Sequence, residues 1–445
     1  MLYFYTLNDT IIKRRVKNSE FYMIEAEVDP MSYIPLTKVY YQSPDEYEEE
    51  WRRRRENPFS SYHIPFQIGE YPVFFLQLPE LYQSIIELHR LDQKIHLLYF
   101  GLPKMAIQNF TLHSLIGEIV ITNQFEGVSS SRREVRESLE NLRQKQRAQK
   151  RFDGIVSKYR MLMTRKEIPL ETPEDIRHLY DELLLEGKSE IEPENLPDGT
   201  LFRKESVSVT DSFDREIHRG LYPEEQIIQA MREALAVLKD PQLNPVLAIG
   251  LFHYLFGYIH PFYDGNGRMS RFISSYLLAR EFHPIVAYRI SYPIFQNRKI
   301  YEEAFRICNN PRSRGDVTPF LLMFTNIITQ AMQGLYEALE RRAARMNHYH
   351  KRLQEAQESF ADWDENLRDC LFILIQVSLF SEDGINRQEL AEACEYSVST
   401  LMKQLNRLSE LQDGKLLIRE QVGREKHYRL DLNQLDQLLQ CLAQE

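Results

Sequence analysis

Cysteine is scarce in this chain, and its spacing excludes several kinds of site. Only four of the 445 residues are cysteines, and no Cys-x-x-Cys pair occurs among them. They are Cys308, Cys370, Cys394 and Cys441. A disulfide framework or a zinc site needs paired spacing, so we expect free or buried thiols in a reducing compartment, the cytoplasm.

The chain also lacks segments that would place it in a membrane. Its N-terminus has no basic stretch followed by an apolar one, so no signal peptide is expected. The apolar run at residues 245–259 contains His253 and is too short to span a bilayer. We therefore expect a buried helix there and no membrane partner.

The composition is that of a globular protein with several domains. The length of 445 residues predicts two to four domains, and 43% of the residues are hydrophobic. The net charge of −10 argues against a chain built as a whole to coat nucleic acid, although it permits a local basic patch.

Residues 260–271 are the most informative part of the chain and read His-Pro-Phe-Tyr-Asp-Gly-Asn-Gly-Arg-Met-Ser-Arg. Helical spacing resumes at residues 269–280, so the segment is predicted to be a tight loop between two buried helices. The loop is neither a Walker loop, because the Gly-Lys-[Ser/Thr] ending is absent, nor a Rossmann turn, because no strand precedes it.

Five residues of this loop suit phosphate binding. Gly265 and Gly267 let the backbone turn and approach a ligand, and Asn266 between them can donate a hydrogen bond. Backbone amides at the start of the next helix form an anion site. Arg268 and Arg271 lie three positions apart, hence on one helix face, and guanidinium groups bind phosphate oxygens in pairs.

Two further side chains supply metal and acid–base chemistry. Asp264 is a hard oxygen ligand able to hold Mg²⁺ against the phosphates. His260, at the end of the preceding helix, is the natural general base. A plain helix–loop–helix turn with solvated charges is the alternative, and the coincidence of so many demanding positions in one short loop argues against it.

The loop resembles the Fic motif, His-x-Phe-x-[Asp/Glu]-Gly-Asn-Gly-Arg-x-x-Arg, at every defined position. Fic enzymes typically move AMP from ATP onto a protein hydroxyl. The resemblance implies that His260 deprotonates a Ser, Thr or Tyr hydroxyl, which attacks the α-phosphate, and that Asp264 holds Mg²⁺ on the α- and β-phosphates. The remaining implied roles are an anion hole of Gly265, Asn266 and Gly267, with Arg268 at the β-phosphate and Arg271 at the γ-phosphate.

An internal brake is implied by residues 122–127, Thr-Asn-Gln-Phe-Glu-Gly. Locally, Glu126-Gly127 is an ordinary helix terminus. Beside the Fic loop, the segment resembles the inhibitory motif [Ser/Thr]-x-x-x-Glu-[Gly/Asn] of many Fic proteins. That resemblance implies that Glu126 pairs with Arg271, occupies the γ-phosphate site and misaligns ATP. It also allows the reverse reaction, the removal of AMP.

Residues 301–309 resemble the Fic helix that borders the adenine. Tyr301 would stack on the base and Asn309 would bond its edge; a core tyrosine and a helix-capping asparagine are equally good interpretations. The family often has Tyr-Tyr-x-Ala-Leu where this chain has Tyr-Glu-Glu-Ala-Phe at 301–305.

Residues 205–221 are predicted to form a β-hairpin. Residues 206–209 alternate as a strand does, residues 210–214 have turn chemistry, and residues 217–219 form the return strand. A surface loop is the alternative. In Fic proteins a hairpin flap at this point pairs with the target's backbone, so a protein target docking on the flap is implied.

The end of the chain looks like a winged helix-turn-helix. Three helices, at 367–380, 387–394 and 397–409, precede two strands near 416–419 and 426–430. Residues 403–429 hold seven Lys or Arg and four acids, a net charge of +3. DNA contact and partner docking are both open. The DNA-facing candidates are Ser397, Thr400, Lys403 and Gln404 toward the groove, with Arg424 and Lys426 on the backbone.

The predicted fold class is mainly α: an all-helical Fic core with a small β-hairpin flap, followed by a winged helix. The predicted divisions are 1–105, mixed then helical; 106–130, the inhibitory helix; 131–345, the core with flap 205–221 and loop 260–271; and 346–445, a linker helix and the winged helix. Helices are expected at about 77–99, 107–124, 223–239 and 317–345, and residues 3–5 and 39–41 are β-prone.

Three functions fit the sequence. The first is a protein adenylyltransferase that uses ATP and Mg²⁺, modifies itself or a target, and is restrained by Glu126. The second is a winged-helix DNA-binding regulator whose core only senses nucleotide; the presence of His260 argues against it, since a sensor needs no base. The third is a Fic enzyme with another donor. A homodimer is also expected, as Fic proteins often form dimers.

Overall fold

The computed structural model describes residues 33–143, 150–186, 191–210, 216–355, 363–381, 384–422 and 425–441. These parts of the chain are mainly α-helical, which confirms the predicted fold class. The helices are α1 Leu36–Gln42, α2 Tyr47–Glu56, α3 Pro79–Phe100, α4 Lys104–Phe125, α5 Arg132–Arg143, α6 Asp153–Leu162, α7 Pro173–Tyr180, α8 Glu224–Val237, α9 Pro245–Ile259, α10 Asn266–Glu281, α11 Ser291–Gln296, α12 Arg298–Asn309, α13 Thr318–Glu355, α14 Glu365–Phe380, α15 Arg387–Cys394, α16 Val398–Glu410 and α17 Leu432–Cys441. The strands are β1 Ser61–Ile68, β2 Tyr71–Leu76, β3 Ser208–Thr210, β4 Glu216–Arg219, β5 Ile385–Asn386, β6 Leu417–Val422 and β7 Glu425–Leu430.

Helix α9 forms the centre of the core. Asn244 caps it by accepting a hydrogen bond from the Val246 amide, and Pro245 occupies its first position, where no amide donor is needed. A Cβ at Gly250 would lie 2.9 Å from a ring carbon of Phe324, so the glycine lets α13 approach α9 closely. The apolar run that the sequence assigned to a buried helix is confirmed as one.

The β-prone residues 39–41 do not form a strand. They lie in α1, which packs with α2 on the loop that follows α12. The packing of these side chains outweighed their β-propensity, because β-propensity depends on the surface that the side chains cover. The strands of this region are β1 and β2, an antiparallel pair that the sequence reading missed. Residues 3–5 lie outside the described residues.

The N-terminal elements α2 and β2 bind the loop at residues 310–317. The Phe74 amide donates to the Gly315 carbonyl, and the Val317 amide donates to the Phe74 carbonyl, both at 2.9 Å. The Arg314 guanidinium lies 4.7 Å from the ring centroids of both Tyr47 and Trp51. This module therefore fixes the loop that leads out of α12.

The predicted hairpin is present as strands β3 and β4. Val209 pairs with His218, and the strands run antiparallel. The first strand begins at Ser208, two residues later than predicted, and residues 211–215 of the predicted turn lie outside the described residues. The pair lies next to the end of α9: the Tyr258 carbonyl bonds the imidazole of His218 in β4, and the Ile259 carbonyl accepts from the amide of Leu221, shortly after β4.

The C-terminal elements have the predicted order: α14, α15 and α16, then β6 and β7, with the short strand β5 on the other edge of β7. Gln404 is buried instead of facing outward, and it accepts a hydrogen bond from Arg407, so its expected DNA-facing orientation was wrong. Lys403 and Lys426 are exposed, as expected. Arg424 lies outside the described residues.

Helix α14 connects these elements to the core. It packs against α4 and α13. Phe110 of α4 meets the ring edge of Phe380 with centroids 6.3 Å apart, and Arg342 of α13 donates to the Leu379 carbonyl at 3.0 Å. One continuous hydrophobic core therefore runs from β1 to α17.

Among the helices of the described residues, none is both long enough and apolar enough to cross a bilayer. Cys308, Cys370 and Cys394 are buried free thiols, and the side chain of Cys441 lies outside the described residues.

The contacts that bind residues 310–317 predict that Gly315→Ala lowers the free energy of unfolding considerably. Gly315 has a φ of +83°, and a Cβ there would overlap the Pro72 carbonyl, which is backbone and cannot rotate away. A left-handed alanine costs about 1–2 kcal/mol, and overpacking adds about 1–3 kcal/mol. The matched control is Gly69→Ala, where φ is +59° and nothing lies within 4 Å of the added carbon. Urea unfolding should show the larger loss at Gly315; equal losses would contradict the close contact.

Candidate active site

The loop between α9 and α10 is shorter than the sequence suggested. Helix α9 ends at Ile259, and its capping residue His260 has a left-handed backbone with φ 52° and ψ 63°. Helix α10 begins at Asn266, three residues before the predicted start, with Gly265 as its cap at φ 84°. The amides of residues 266–268 therefore belong to the first helical turn, where amides have no intrahelical partner.

Asn266 braces the loop from inside. Its side-chain oxygen accepts from the Phe262 amide at 3.0 Å, and its side-chain nitrogen donates to the Phe262 carbonyl at 2.8 Å. The side chain is thus used within the loop, and only the backbone amide of Asn266 is left to face an anion.

Aromatic packing holds the loop against α7. The Phe262 ring stacks on Tyr180 with centroids 3.8 Å apart, and the Tyr180 hydroxyl donates to the Asp264 carbonyl. A Cβ at Gly265 would overlap the side chain of Leu184, in the π-helical turn that follows α7. Glycine is needed here for both its positive φ and its lack of a side chain.

The two arginines of the motif are buried, and each faces a carboxylate. Arg268 Nη2 lies 3.4 Å from Asp264 Oδ2, and Arg271 Nη2 lies 2.8 Å from Glu126 Oε1. Both guanidinium groups are almost fully buried, whereas the Asp264 side chain is 39% exposed and that of Glu126 23% exposed. The site thus holds two cations and a helix N-terminus, balanced by two accessible carboxylates.

Arg271 is held by helix α4 on several sides. Its Nε donates to Thr122 Oγ1 at 2.8 Å, and its Nη2 donates to the Thr122 carbonyl at 3.1 Å. Its guanidinium carbon lies 4.7 Å from the ring centroid of Phe125. Its Nη1 is buried without a hydrogen-bond partner among the described residues, so this nitrogen points to a place for an acceptor.

The Glu126 carboxylate lies directly against the start of α10. Its Oε1 fills the space that a Cβ at Gly267 would need, next to Arg271 Nη1. Helix α4 ends at this residue, and Gly127 follows with a φ of 75°, as a helix-terminating glycine does. The structure therefore brings Glu126 to Arg271 and to the anion-binding end of α10.

The structure keeps the His260 imidazole neutral near pH 7. Its pKa is lowered to about 4, chiefly by burial and then by the positive charges of His218 and Arg203, while a hydrogen bond with the Gly257 carbonyl and the charge of Glu126 oppose the shift. A neutral imidazole retains the lone pair with which a general base accepts a proton.

Tyr301 and Asn309, the two expected adenine contacts, form hydrogen bonds with other side chains of the protein. The Tyr301 hydroxyl bonds His253 Nε2 at 2.7 Å, and His253 Nδ1 bonds Ser274 Oγ at 2.8 Å. Asn309 Oδ1 accepts from the Tyr254 hydroxyl at 2.8 Å. The ring of Tyr301 also meets the edge of Phe125. Base stacking on Tyr301 stays a prediction.

The residues present fit a magnesium–phosphate group. Asp264 offers a partly exposed carboxylate beside Arg268 and the helix N-terminus. Within the described residues, no cluster of three His, Cys, Asp or Glu could hold a metal alone. Mg²⁺ commonly binds through one or two carboxylates, substrate phosphates and water, which matches a single Asp264.

Sequence reasoning overlooked several residues of the site. Phe125 lies beneath both Arg271 and Arg298, whose guanidinium carbons are 4.7 and 4.8 Å from its ring centroid. Arg203 is fully buried and bonds the His260 carbonyl. Only proximity in the chain marked them: Phe125 precedes Glu126, and Arg203 precedes the hairpin.

His260 should remain neutral from about pH 8 down to about pH 5, because its pKa lies well below the usual 6.5. The measurement is NMR of ¹³Cε1-labelled histidine, with the His260→Ala protein assigning the signal. Replacing Glu126 by glycine should lower the pKa further, since a nearby negative charge is lost. A midpoint near 6.5 would contradict the buried environment.

The part of the chain that contains this loop is similar to known proteins. Residues 169–278 match the model of the Fic/DOC family. A protein adenylyltransferase Fic of Nematostella vectensis is 40% identical over 84 residues, which cover 19% of this chain and 18% of that protein. The one of Drosophila grimshawi is 38% identical over 95 residues, 21% of this chain and 18% of that protein. The matches thus span less than a fifth of each curated relative.

Among solved structures, a Fic family protein from Desulfovibrio desulfuricans G20 aligns with a TM-score of 0.46 and 18% identity, covering 83% of this chain and 98% of that one. The family match at residues 169–278 includes the loop, the hairpin and both arginines. The chain therefore carries a Fic domain.

Proposed function

We propose that the protein transfers AMP from ATP to a Ser, Thr or Tyr hydroxyl of a protein, itself included, and that Glu126 restrains this activity. The observation that carries the proposal is the contact of Glu126 with Arg271 at the N-terminus of α10. An anion of the protein itself lies where two buried arginines and a helix N-terminus attract anions. The curated relatives named protein adenylyltransferase support the same activity.

His260 is the residue that moves the proton. In its neutral form it accepts the proton of the target hydroxyl, whose oxygen then attacks the α-phosphorus of ATP. The bond from that phosphorus to the bridging oxygen breaks, and diphosphate leaves. The pKa of about 4 ensures that the imidazole is available as a base at neutral pH.

Arg268, Arg271 and the first amides of α10 position the phosphates. The buried guanidinium groups and amides are held before the substrate arrives, so they stabilise charge without reorganising. We assign Arg268 to the β-phosphate and Arg271 to the γ-phosphate. Asp264 would hold Mg²⁺, which when bound neutralises phosphate charge and restricts the orientation of the triphosphate.

Glu126 restrains transfer by occupying the γ-phosphate position. While Arg271 bonds Glu126, a γ-phosphate meets a carboxylate instead of a free guanidinium, so ATP binds with its α-phosphate out of line. A carboxylate in this place also orients water, so removal of AMP from a modified protein is the second activity we propose for the same site.

Replacing Glu126 by glycine should release the transferase. A hydrogen bond to a charged group contributes about 1.5–3 kcal/mol, and 1.4 kcal/mol corresponds to about tenfold in rate or affinity. We expect Glu126→Gly to raise the labelling rate with α-³²P-ATP and Mg²⁺ by about ten- to a hundredfold. Labelling is measured on the protein alone and then with cell lysate, and His260→Ala in the same background should abolish it.

The matched control is Gln124→Gly. It places a glycine at the same helix end, on an exposed residue, and keeps the carboxylate. If it labels like Glu126→Gly, loosening of α4 rather than loss of the ion pair explains the release. If no variant labels anything while ATP still binds, the core is a sensor or uses another donor.

We further propose a winged helix for residues 363–441, with DNA or a partner protein as its ligand. The exposed Lys403 and Lys426 support DNA, and the buried Gln404 leaves fewer groove-facing candidates. If DNA is the ligand, Lys403→Ala with Lys426→Ala should weaken binding and make it less dependent on salt in fluorescence anisotropy. Binding that does not change with the salt concentration would point to a protein partner.

We also propose a homodimer, which sedimentation of the protein tests.

A further inference from the structure

The C-terminal end of α9, which carries His260, is capped by the hairpin and its flanks. The Tyr258 carbonyl is 2.6 Å from His218 Nε2 on β4. The Ile259 carbonyl accepts from the Leu221 amide at 3.1 Å, and the His260 carbonyl accepts from Arg203 Nε at 2.9 Å. Three successive carbonyls at the end of the helix therefore depend on groups from one segment, residues 203–221.

Arg203 links this segment together. Its Nη1 donates to the Glu205 carbonyl at 2.5 Å and its Nη2 to the Leu221 carbonyl at 2.7 Å, so each guanidinium nitrogen donates to a backbone carbonyl. Arg203 is fully buried, and its own amide donates to the Pro261 carbonyl at 3.3 Å. One side chain thus joins both ends of the hairpin to the residue that follows α9.

The space for this guanidinium is made by a glycine. A Cβ at Gly220 would overlap Arg203 Nη2 and would lie 2.9 Å from the His260 Cβ. The side chain of His260 and the arginine therefore both lie against Gly220, the residue that follows strand β4.

Two physical effects make the contact important for His260. First, a non-glycine residue in the left-handed region is strained by about 1–2 kcal/mol, so His260 needs outside contacts to stay there. Second, a cation at a helix C-terminus interacts favourably with the helix dipole. The planar fork of arginine satisfies several carbonyls at once, which the single ammonium of lysine does not do.

We propose that Arg203 is a positioning residue for the transfer reaction: it fixes the backbone of His260 and ties the imidazole's position to the hairpin. This inference rests on the proposed function for its kinetic consequence, but the positioning itself concerns the folded protein. The charged and titratable groups that face His260 are Arg203, His218 and Glu126. Of these, only Arg203 bonds the His260 backbone.

The kinetic test uses Glu126→Gly as the parent protein. Arg203→Ala should lower kcat by about a hundredfold, the size of effect that a small misplacement of a catalytic group produces. The KM for ATP should change less than about threefold, since the guanidinium of Arg203 donates to the carbonyls of Glu205, Leu221 and His260. Millimolar guanidinium should restore part of kcat in Arg203→Ala, and Arg203→Lys should stay slow.

The second readout needs no activity. The positive charge of Arg203 holds the pKa of His260 down, so its removal raises that pKa. In ¹³Cε1-histidine NMR, the midpoint for His260 should move up in Arg203→Ala, return with guanidinium, and remain low in Arg203→Lys. The matched control is Arg177→Ala: Arg177 donates to the Leu201 carbonyl near the same hairpin but pairs with Asp181. It should change neither readout.

The outcomes separate the two proposals. If the parent labels and Arg203→Ala lowers kcat alone while the His260 titration shifts, the positioning role stands. If ATP binding falls together with kcat, or if kcat and the titration both stay unchanged, the positioning role is wrong. If the parent itself labels nothing, the proposed function fails, and the guanidinium-reversible titration of His260 still decides the role of Arg203.

Discussion

The buried guanidinium of Arg271 needs a partner for its charge, and that requirement organises this part of the fold. Removing the partner of a buried ion pair commonly costs about 3–5 kcal/mol, because an uncompensated charge remains in a poor solvent. Without a ligand, Glu126 meets the requirement. In the function that we propose, a triphosphate meets the same requirement, so the two compete for one cation. The competition follows from desolvation and needs no conformational switch elsewhere in the molecule.

Helix α4 is shaped around this requirement. Thr122, Phe125 and Glu126 are three and four residues apart, so they share the face that meets Arg271. Glu118, one turn earlier, is buried and accepts hydrogen bonds from the amide and hydroxyl of Ser291, which anchors the helix. Burial raises the pKa of Glu118 to about 7, despite the opposing hydrogen bonds and the nearby positive charge of Arg271. The position of Glu126 is thus set by a helix that is fixed at several points.

The sequence anticipated the elements that depend on local chemistry. The loop at 260–271 could be recognised because its glycines, arginines and carboxylate are residue types that suit phosphate and metal binding. Helix α9 could be recognised because a long apolar run is stable only when it is buried. The β1–β2 pair and the helical state of residues 39–41 could not be foreseen, since both depend on the loop at 310–317, far away in sequence. Arg203 was overlooked. Its role depends on four backbone carbonyls from two distant segments, and no pattern along the chain announces that arrangement.

Helix α4 also connects the C-terminal elements with the loop at 260–271. Phe110, near one end, touches Phe380 of the C-terminal elements, and Glu126 ends the other arm. Sixteen residues at a rise of about 1.5 Å separate them by about 24 Å. A tilt of about 5° about the Phe110 end displaces the carboxylate by about 2 Å, as much as separates a strong hydrogen bond from none. The restraint that we propose for Glu126 is therefore sensitive to a tilt of α4 that is too small to alter any secondary structure.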